Sequence, residues 1–94
     1  MHPTEIRITN PDWVASMVDY SSRYTDDDAR VRLTIQLARE NVLRGTGGPF
    51  GAAVFDDTGR VVGVGTNGVM RLKNSSAHAE IVALAMAQAA VGSF

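Results

Sequence analysis

The chain has 94 residues, of which 45% are apolar and 20% charged, and its net charge is -1. This suits one small globular domain, and the balanced charge gives no basic surface of the kind that binds nucleic acid. Because cysteine is absent, the chain itself can form no disulfide, thiolate metal site or cysteine nucleophile. The sequence does not begin as a secretory signal does, and its longest apolar run, Ile81 to Ala87, is too short to span a bilayer, so we expect a cytoplasmic protein.

Residues 1–24 are predicted to form an N-terminal helical extension. Asn10 is a suitable helix cap, and Pro11 suits the first helical position. One face of this helix would be apolar and consist of Trp13, Val14, Met17 and Val18. The sequence assigns no chemistry to this segment.

A second helix is predicted to follow Thr25, which would cap it, and to end at Gly45. The three carboxylates of Asp26 to Asp28 favour a helix start, where the dipole stabilises negative charge, over a metal site. The apolar stripe expected to face the core recurs every three or four residues. It consists of Val31, Ile35, Ala38 and Val42, broadened by Leu33 and Leu37.

Two short strands are predicted at 50–55 and 60–67, joined by a turn over 56–59 and paired antiparallel. Small residues dominate this hairpin, including Gly51, Gly63 and Gly65. Glycines in strands mark the close approach either of a ligand or of another backbone, such as that of a packed helix. The sequence leaves both interpretations open.

A loop over 68–74, carrying Arg71 and Lys73, precedes the last predicted helix, which Ser75 or Ser76 would cap. From Ile81 to Val91 every residue except Gln88 is apolar. A helix that is apolar all round must be covered on most sides, and one hairpin with one amphipathic helix can cover only part of it. The pattern therefore predicts that the chain belongs to a larger structure.

His78 and Glu80 lie two positions apart at the start of this last helix. Side chains two apart point to nearly opposite sides of a regular helix, although side chains of the first turn can project beyond the helix end toward a common point. The pair indicates either part of a metal site or a polar residue beside a first-turn carboxylate that suits the dipole. Considered alone, the tripeptide does not separate these interpretations.

Three stretches in order carry a family resemblance: residues 47–54 (GGPFGAAV), a strand ending in Thr66-Asn67, and residues 76–81 (SAHAEI). Together they resemble the zinc-dependent nucleobase deaminases of the cytidine-deaminase-like superfamily, most of all the bacterial guanine deaminases and more distantly the tRNA-adenosine deaminases. The resemblance covers about residues 26–94. It implies a three-layer α/β/α sandwich, of which residues 25–94 supply the N-terminal part: a helix, a β-hairpin and the zinc-facing helix.

The resemblance also implies roles for individual residues. His78 would be a zinc ligand and Glu80 the general acid/base, as in the family's H-x-E followed by P-C-x-x-C. Asn67 would hydrogen-bond the base, and the backbone of Ala79 would contact it. The implied reaction is zinc-dependent hydrolysis of guanine to xanthine and ammonia, in a homodimer.

The chain departs from the family pattern because P-C-x-x-C is missing. A catalytic zinc site has three protein ligands and an open position, so we expect a complementary chain or fragment to carry the cysteine ligands. Alternative functions are a tRNA-adenosine or other nucleoside deaminase, or a non-catalytic binding fragment. The near-neutral charge counts against a nucleic-acid partner.

Overall fold

Two strands and two long helices are the main elements of the structure, a computed structural model that describes residues 1–94. In chain order the elements are α1 (Trp13–Met17), α2 (Asp27–Leu43), β1 (Gly51–Phe55), β2 (Val61–Thr66), α3 (Val69–Leu72) and α4 (Ala79–Val91). None of the helices is long and apolar enough to cross a membrane.

The start of α2 is capped one residue later than the sequence predicts. Asp26, not Thr25, is the N-cap, and its carboxylate accepts a hydrogen bond from the Ala29 amide at 2.8 Å. Asp27 and Asp28 lie in the first turn, as predicted for carboxylates at a helix start. The predicted stop is also found, because Gly45 follows the C-cap with a φ of +69°.

The buried face of α2 differs from the predicted stripe. Val31, Ile35 and Val42 are 52%, 58% and 48% exposed, whereas Leu33 and Leu37 are 3% and 0% exposed. Apolar residues lie on two sides of this helix. The prediction is confirmed for Leu33 and Leu37, which were placed at the edge of the stripe, and is wrong for its centre. The buried row continues to Asn41, whose hydrogen bonds to two loops allow a polar side chain to be buried there.

The two strands pair antiparallel, as predicted, from Gly51 opposite Thr66 to Phe55 opposite Val61, with a bulge at Val54/Phe55. Asp56 organises the turn that joins them. Its carboxylate accepts hydrogen bonds from the Thr58 hydroxyl and from the backbone amides of Thr58 and Arg60. The bond from the Thr58 hydroxyl contributes most to holding the pKa of the Asp56 carboxyl below its usual value.

The strand glycines mark close approaches of helix backbones. A Cβ atom at Gly51 would lie 2.6 Å from the Thr34 carbonyl oxygen of α2. A Cβ atom at Gly63 would lie 2.5 Å from the Ala87 nitrogen of α4, and one at Gly65 would likewise collide with the α4 backbone. Of the two interpretations that the sequence left open, the structure selects helix packing.

The two long helices lie on opposite faces of the hairpin. Gly51, which faces α2, is paired with Thr66, and Gly65, which faces α4, is the neighbour of Thr66 in β2. Adjacent residues of a strand point to opposite faces, so α2, the hairpin and α4 form three layers. The predicted α/β/α arrangement is confirmed.

Helix α1 packs on the α2 side of the hairpin. Its predicted apolar side chains join one cluster with buried residues of α2 and β2: Val14, Val18, Leu33, Leu37, Val61 and Val64, with Trp13 and Met17 partly buried against them. The predicted cap is wrong, because Asn10 donates instead to the Val64 carbonyl at 3.0 Å, and the helix begins after Asp12. A bond to a distant strand thus replaces the local cap.

The segment before α4 also departs from the prediction. Residues 69–72 form the short helix α3 where a loop was expected, and Lys73 ends it in the left-handed conformation, with φ 52°. Neither Ser75 nor Ser76 caps α4; Ser76 bonds the Asn74 side chain, and His78 is the N-cap. The serine belongs to a turn that precedes the helix.

Helix α4 buries its small residues and exposes larger ones. Ala79, Val82, Ala83 and Ala87 are buried, whereas Ile81, Leu84 and Val91 are about half exposed. Only the small residues allow the α4 backbone to approach the strand glycines. The outer face of this apolar helix is left uncovered by the 94 residues, as the sequence pattern predicts.

The buried face of α2 can be tested by comparing two variants of the same helix. Leu37→Ala should lower the free energy of unfolding by about 2–5 kcal/mol, because it empties a fully buried position. Ile35→Ala, on the exposed side, should cost less than about 1 kcal/mol. Urea unfolding followed by circular dichroism measures both, and equal losses would contradict the assignment.

Candidate functional site

The start of α4 brings His78 and Glu80 together. His78 is the N-cap and has an extended backbone, with φ -72° and ψ 151°, while Glu80 lies in the first helical turn. The regular helical spacing that separates positions two apart therefore does not apply to this pair. The His78 Nδ1 atom lies 3.3 Å from Glu80 Oε1, and both side chains are well exposed, at 61% and 68%.

Asn67 lies beside this pair because it directly follows β2. Its amide donates to the Phe50 carbonyl at 3.2 Å, which ties the end of β2 to the residue before β1. The next residue, Gly68, donates to the Ala77 carbonyl at 2.9 Å, immediately before His78. The Asn67 side chain accepts one weak bond, from the Val69 amide to Oδ1 at 3.4 Å, and this leaves its Nδ2 group available as a donor.

A cavity of about 230 Å³ joins all four residues that the sequence singled out. Its lining consists of Phe50, Asn67, His78, Ala79 and Glu80. The amide of Ala79 belongs to the first turn of α4, where N–H groups have no partner within the helix. The cavity thus offers a carboxylate, an imidazole, a side-chain amide and a backbone donor in one place.

Phe50 and Asn41 are the residues near this site that sequence reasoning missed. Phe50 was identified only as part of the GGPF stretch, yet its side chain is 59% exposed and lines the cavity. The signal available in the sequence was an aromatic residue directly after the glycine-proline loop. Asn41 donates to the Asn67 carbonyl from the core, and no sequence pattern marks it.

A larger cavity, of about 540 Å³, lies near α1 and is lined by Trp13, Arg44 and Arg71 among others. It contains no histidine and none of the four predicted residues. Volume alone would select it, but the smaller cavity holds the groups that can bind a metal and move a proton. On these chemical grounds the cavity at the start of α4 is the candidate site.

The donor set at the start of α4 does not make a zinc site by itself. No group of three or more His, Cys, Asp or Glu side chains is placed to hold a metal ion. His78 offers one nitrogen, the chain has no cysteine, and the second histidine, His2, does not line the cavity. A catalytic zinc takes three protein ligands, and this cavity offers one imidazole and no thiolate, which is too few.

Comparison with known proteins identifies the family. Residues 24–93 match the family described as the cytidine and deoxycytidylate deaminase zinc-binding region. The chain belongs to this deaminase family. The guanine deaminase of Bacillus subtilis (strain 168) is 36% identical over 64 residues, which are 68% of this chain and 40% of that protein.

Two solved structures extend the likeness to nearly the whole chain. The guanine deaminase of Nitrosomonas europaea is 33% identical, with a TM-score of 0.86 over 99% of this chain and 51% of that one. A mutant of NE0047 in complex with 8-azaguanine is 34% identical, with a TM-score of 0.86 over 96% of this chain and 50% of that one. The resemblance to bacterial guanine deaminases is confirmed.

The chain spans about half the length of these solved relatives and 40% of the B. subtilis protein. Zinc is the metal of the deaminase family that it matches. At the start of α4 the structure places one possible zinc ligand, His78, beside one carboxylate, Glu80. These residues alone are too few to hold a zinc ion.

The 94-residue chain on its own should retain far less than one zinc ion per chain, because a single nitrogen ligand holds zinc weakly. The measurement is elemental analysis after incubation with zinc and gel filtration. His78→Ala should remove the residual binding, whereas His2→Ala should leave it unchanged. One zinc ion retained per isolated chain would contradict the ligand count.

Proposed function

We propose that this chain provides part of the active site of a purine-base deaminase that converts guanine to xanthine and ammonia. The observation that supports this most is the convergence of His78, Glu80 and Asn67 on one cavity at the start of α4. The deaminase family and the similarity to two bacterial guanine deaminases support the same reaction.

We propose that His78 supplies one zinc ligand and that cysteines outside these 94 residues, on a complementary chain or fragment, supply the others. A zinc ion bound there lowers the pKa of water toward neutrality. The dipole of α4 acts in the same direction, because the helix N-terminus stabilises negative charge beside His78.

The proposed role of Glu80 is to move protons between water and guanine. The water oxygen forms a bond to C2 of the base, and the bond from C2 to the exocyclic amino nitrogen breaks. One proton of the water passes through the Glu80 carboxylate to the neighbouring ring nitrogen, and the other passes to the departing amino group, which leaves as ammonia. The exposed carboxylate beside His78 is free of other ion pairs and can make both transfers.

The other lining groups would bind and orient the base. The Asn67 Nδ2 group and the Ala79 amide can donate to oxygen or nitrogen acceptors on the edge of the purine. The Phe50 ring offers a flat apolar surface at the wall of the cavity, as a planar base requires. Asn67 follows β2, Ala79 begins α4 and Phe50 precedes β1, so the spacing of these groups depends on the packing of α4 against the hairpin.

The proposed partners are the purine base, the complementary chain or fragment that carries the cysteine ligands, and a second copy of the assembled unit in a homodimer. The apolar side chains exposed on α2 and α4 support association, because they form faces that these residues leave uncovered. The net charge of -1 does not favour a tRNA substrate, which would require basic surface.

Two variants test the roles at the start of α4 in the zinc-loaded protein, which is this chain together with the complementary chain or fragment that carries the cysteine ligands. Glu80→Gln should keep the metal and lose at least about 100-fold in kcat for ammonia release from guanine, because the proton carrier is removed. His78→Ala should lose both metal and activity. Zinc analysis and an ammonia assay measure these effects.

The matched controls are Glu5→Gln and His2→Ala, which change the same residue types outside the cavity and should leave zinc content and kcat unchanged. Near-normal turnover by Glu80→Gln would contradict its role. Release of ammonia from adenosine or tRNA, but not from guanine, would contradict guanine as the substrate.

A further inference from the structure

A buried asparagine connects the proposed site to the core. Asn41 lies near the C-terminus of α2 and is 0% exposed. Its Nδ2 group donates to the Gly48 carbonyl at 2.9 Å and to the Asn67 carbonyl at 3.0 Å. Its Oδ1 atom accepts from the Thr46 hydroxyl at 2.7 Å. The bonds fix the orientation of the amide, because a flipped side chain would turn its oxygen toward two carbonyl oxygens.

The main chain of Asn41 binds the same loop. Its carbonyl accepts hydrogen bonds from the amides of Thr46 at 2.9 Å and Gly47 at 3.2 Å. Gly47 packs so closely that a Cβ atom there would lie 2.6 Å from the Asn41 Nδ2 atom. The glycine loop and the end of β2 are therefore held to one residue of α2.

The network continues to the N-terminal segment. The Trp13 indole N–H donates to the Thr46 hydroxyl oxygen at 3.1 Å, and Thr46 in turn donates to Asn41. The Arg44 guanidinium lies over the Trp13 ring, 5.6 Å from its centre, at the distance of a cation–π contact. Trp13 lies outside the segment that matches the deaminase family, which begins at residue 24.

We infer that Asn41 is a positioning residue for purine binding, an inference that rests on the proposed function. It does not line the cavity, so it acts through Asn67. The Asn67 main chain is held between two bonds, from Asn41 to its carbonyl and from its own amide to Phe50. These bonds set where the Asn67 side chain and the Phe50 ring stand in the cavity wall.

No other residue type provides these contacts. Leucine has a similar shape but would leave two buried carbonyls without a donor. Aspartate would turn a negatively charged oxygen toward those carbonyls, and glutamine is one methylene too long for the space beside Gly47. The loss of Asn41 should therefore displace Asn67 even where the helix itself remains folded.

The test measures kcat and KM for guanine deamination by the zinc-loaded protein. Asn41→Leu should raise KM about tenfold, the equivalent of one lost hydrogen bond, and change kcat by less than about threefold. The matched control is Thr66→Val. Thr66 is the residue before Asn67, and its buried hydroxyl has no hydrogen-bond partner, so this variant also removes a buried polar group but breaks no hydrogen bond. This control should leave both constants unchanged.

A double-mutant cycle separates positioning from a general loss of stability. If Asn41 acts through Asn67, the variant carrying Asn41→Leu and Asn67→Ala should have the KM of Asn67→Ala alone. Additive effects of the two changes on KM would overturn the inference. Should Asn41→Leu fail to fold, Trp13→Phe removes only the indole donor, and its rise in KM should be smaller and should likewise vanish in the Asn67→Ala background.

Amide hydrogen exchange provides a result that does not depend on activity. Asn41→Leu should accelerate exchange of the Asn67 amide at least about tenfold, while amides in the centre of α4 keep their protection. Unchanged exchange at Asn67 would overturn the inference. If Asn41→Leu accelerates exchange at Asn67 but the wild-type protein releases no ammonia from guanine, the proposed function is rejected and the positioning contact is kept.

Discussion

The site depends on the contact between the backbone of α4 and the glycines of β2. Gly63 and Gly65 carry no side chains, so the backbone and small residues of α4 pack directly on the strand. That contact sets the helix N-terminus beside the end of β2, where Asn67 begins the next loop. The packing of α4 on β2 therefore brings Asn67 beside the His78–Glu80 pair.

Much of this arrangement could be predicted from local patterns. The hairpin, the stop at Gly45 and the uncovered apolar face of α4 each follow from short-range rules and were found. The buried face of α2 was predicted only in part. Leu33 and Leu37 were included in the stripe, but apolar residues lie on two sides of the helix, and which side is buried depends on the fit of Leu37 against Gly51. The helix caps were misplaced for a similar reason: Asn10 bonds a distant strand, and Ser76 bonds a neighbouring turn. Tertiary contacts override local preferences at these positions.

The residues that hold the site are spread more widely than the residues that line it. Sequence motifs identify His78 and Glu80, since their chemistry is visible in the residue types, but nothing in the sequence marks Asn41 as a hydrogen-bonding centre. Through Thr46 the same network reaches Trp13, so a segment with no assigned chemistry supports the cavity wall. The possible metal ligands differ in this respect, because the cavity offers one imidazole from this chain and a catalytic zinc requires three protein ligands.

The central claim is that the cavity at the start of α4 receives the purine base. The most direct measurement is the change in amide NMR shifts when 8-azaguanine, the ligand bound by a related structure, is added to the zinc-loaded protein. The largest saturable shifts are expected at the Asn67 side-chain amide and the Ala79 backbone amide. Shifts confined to the larger cavity around Trp13 and Arg71, or no saturable shifts at all, would contradict the claim.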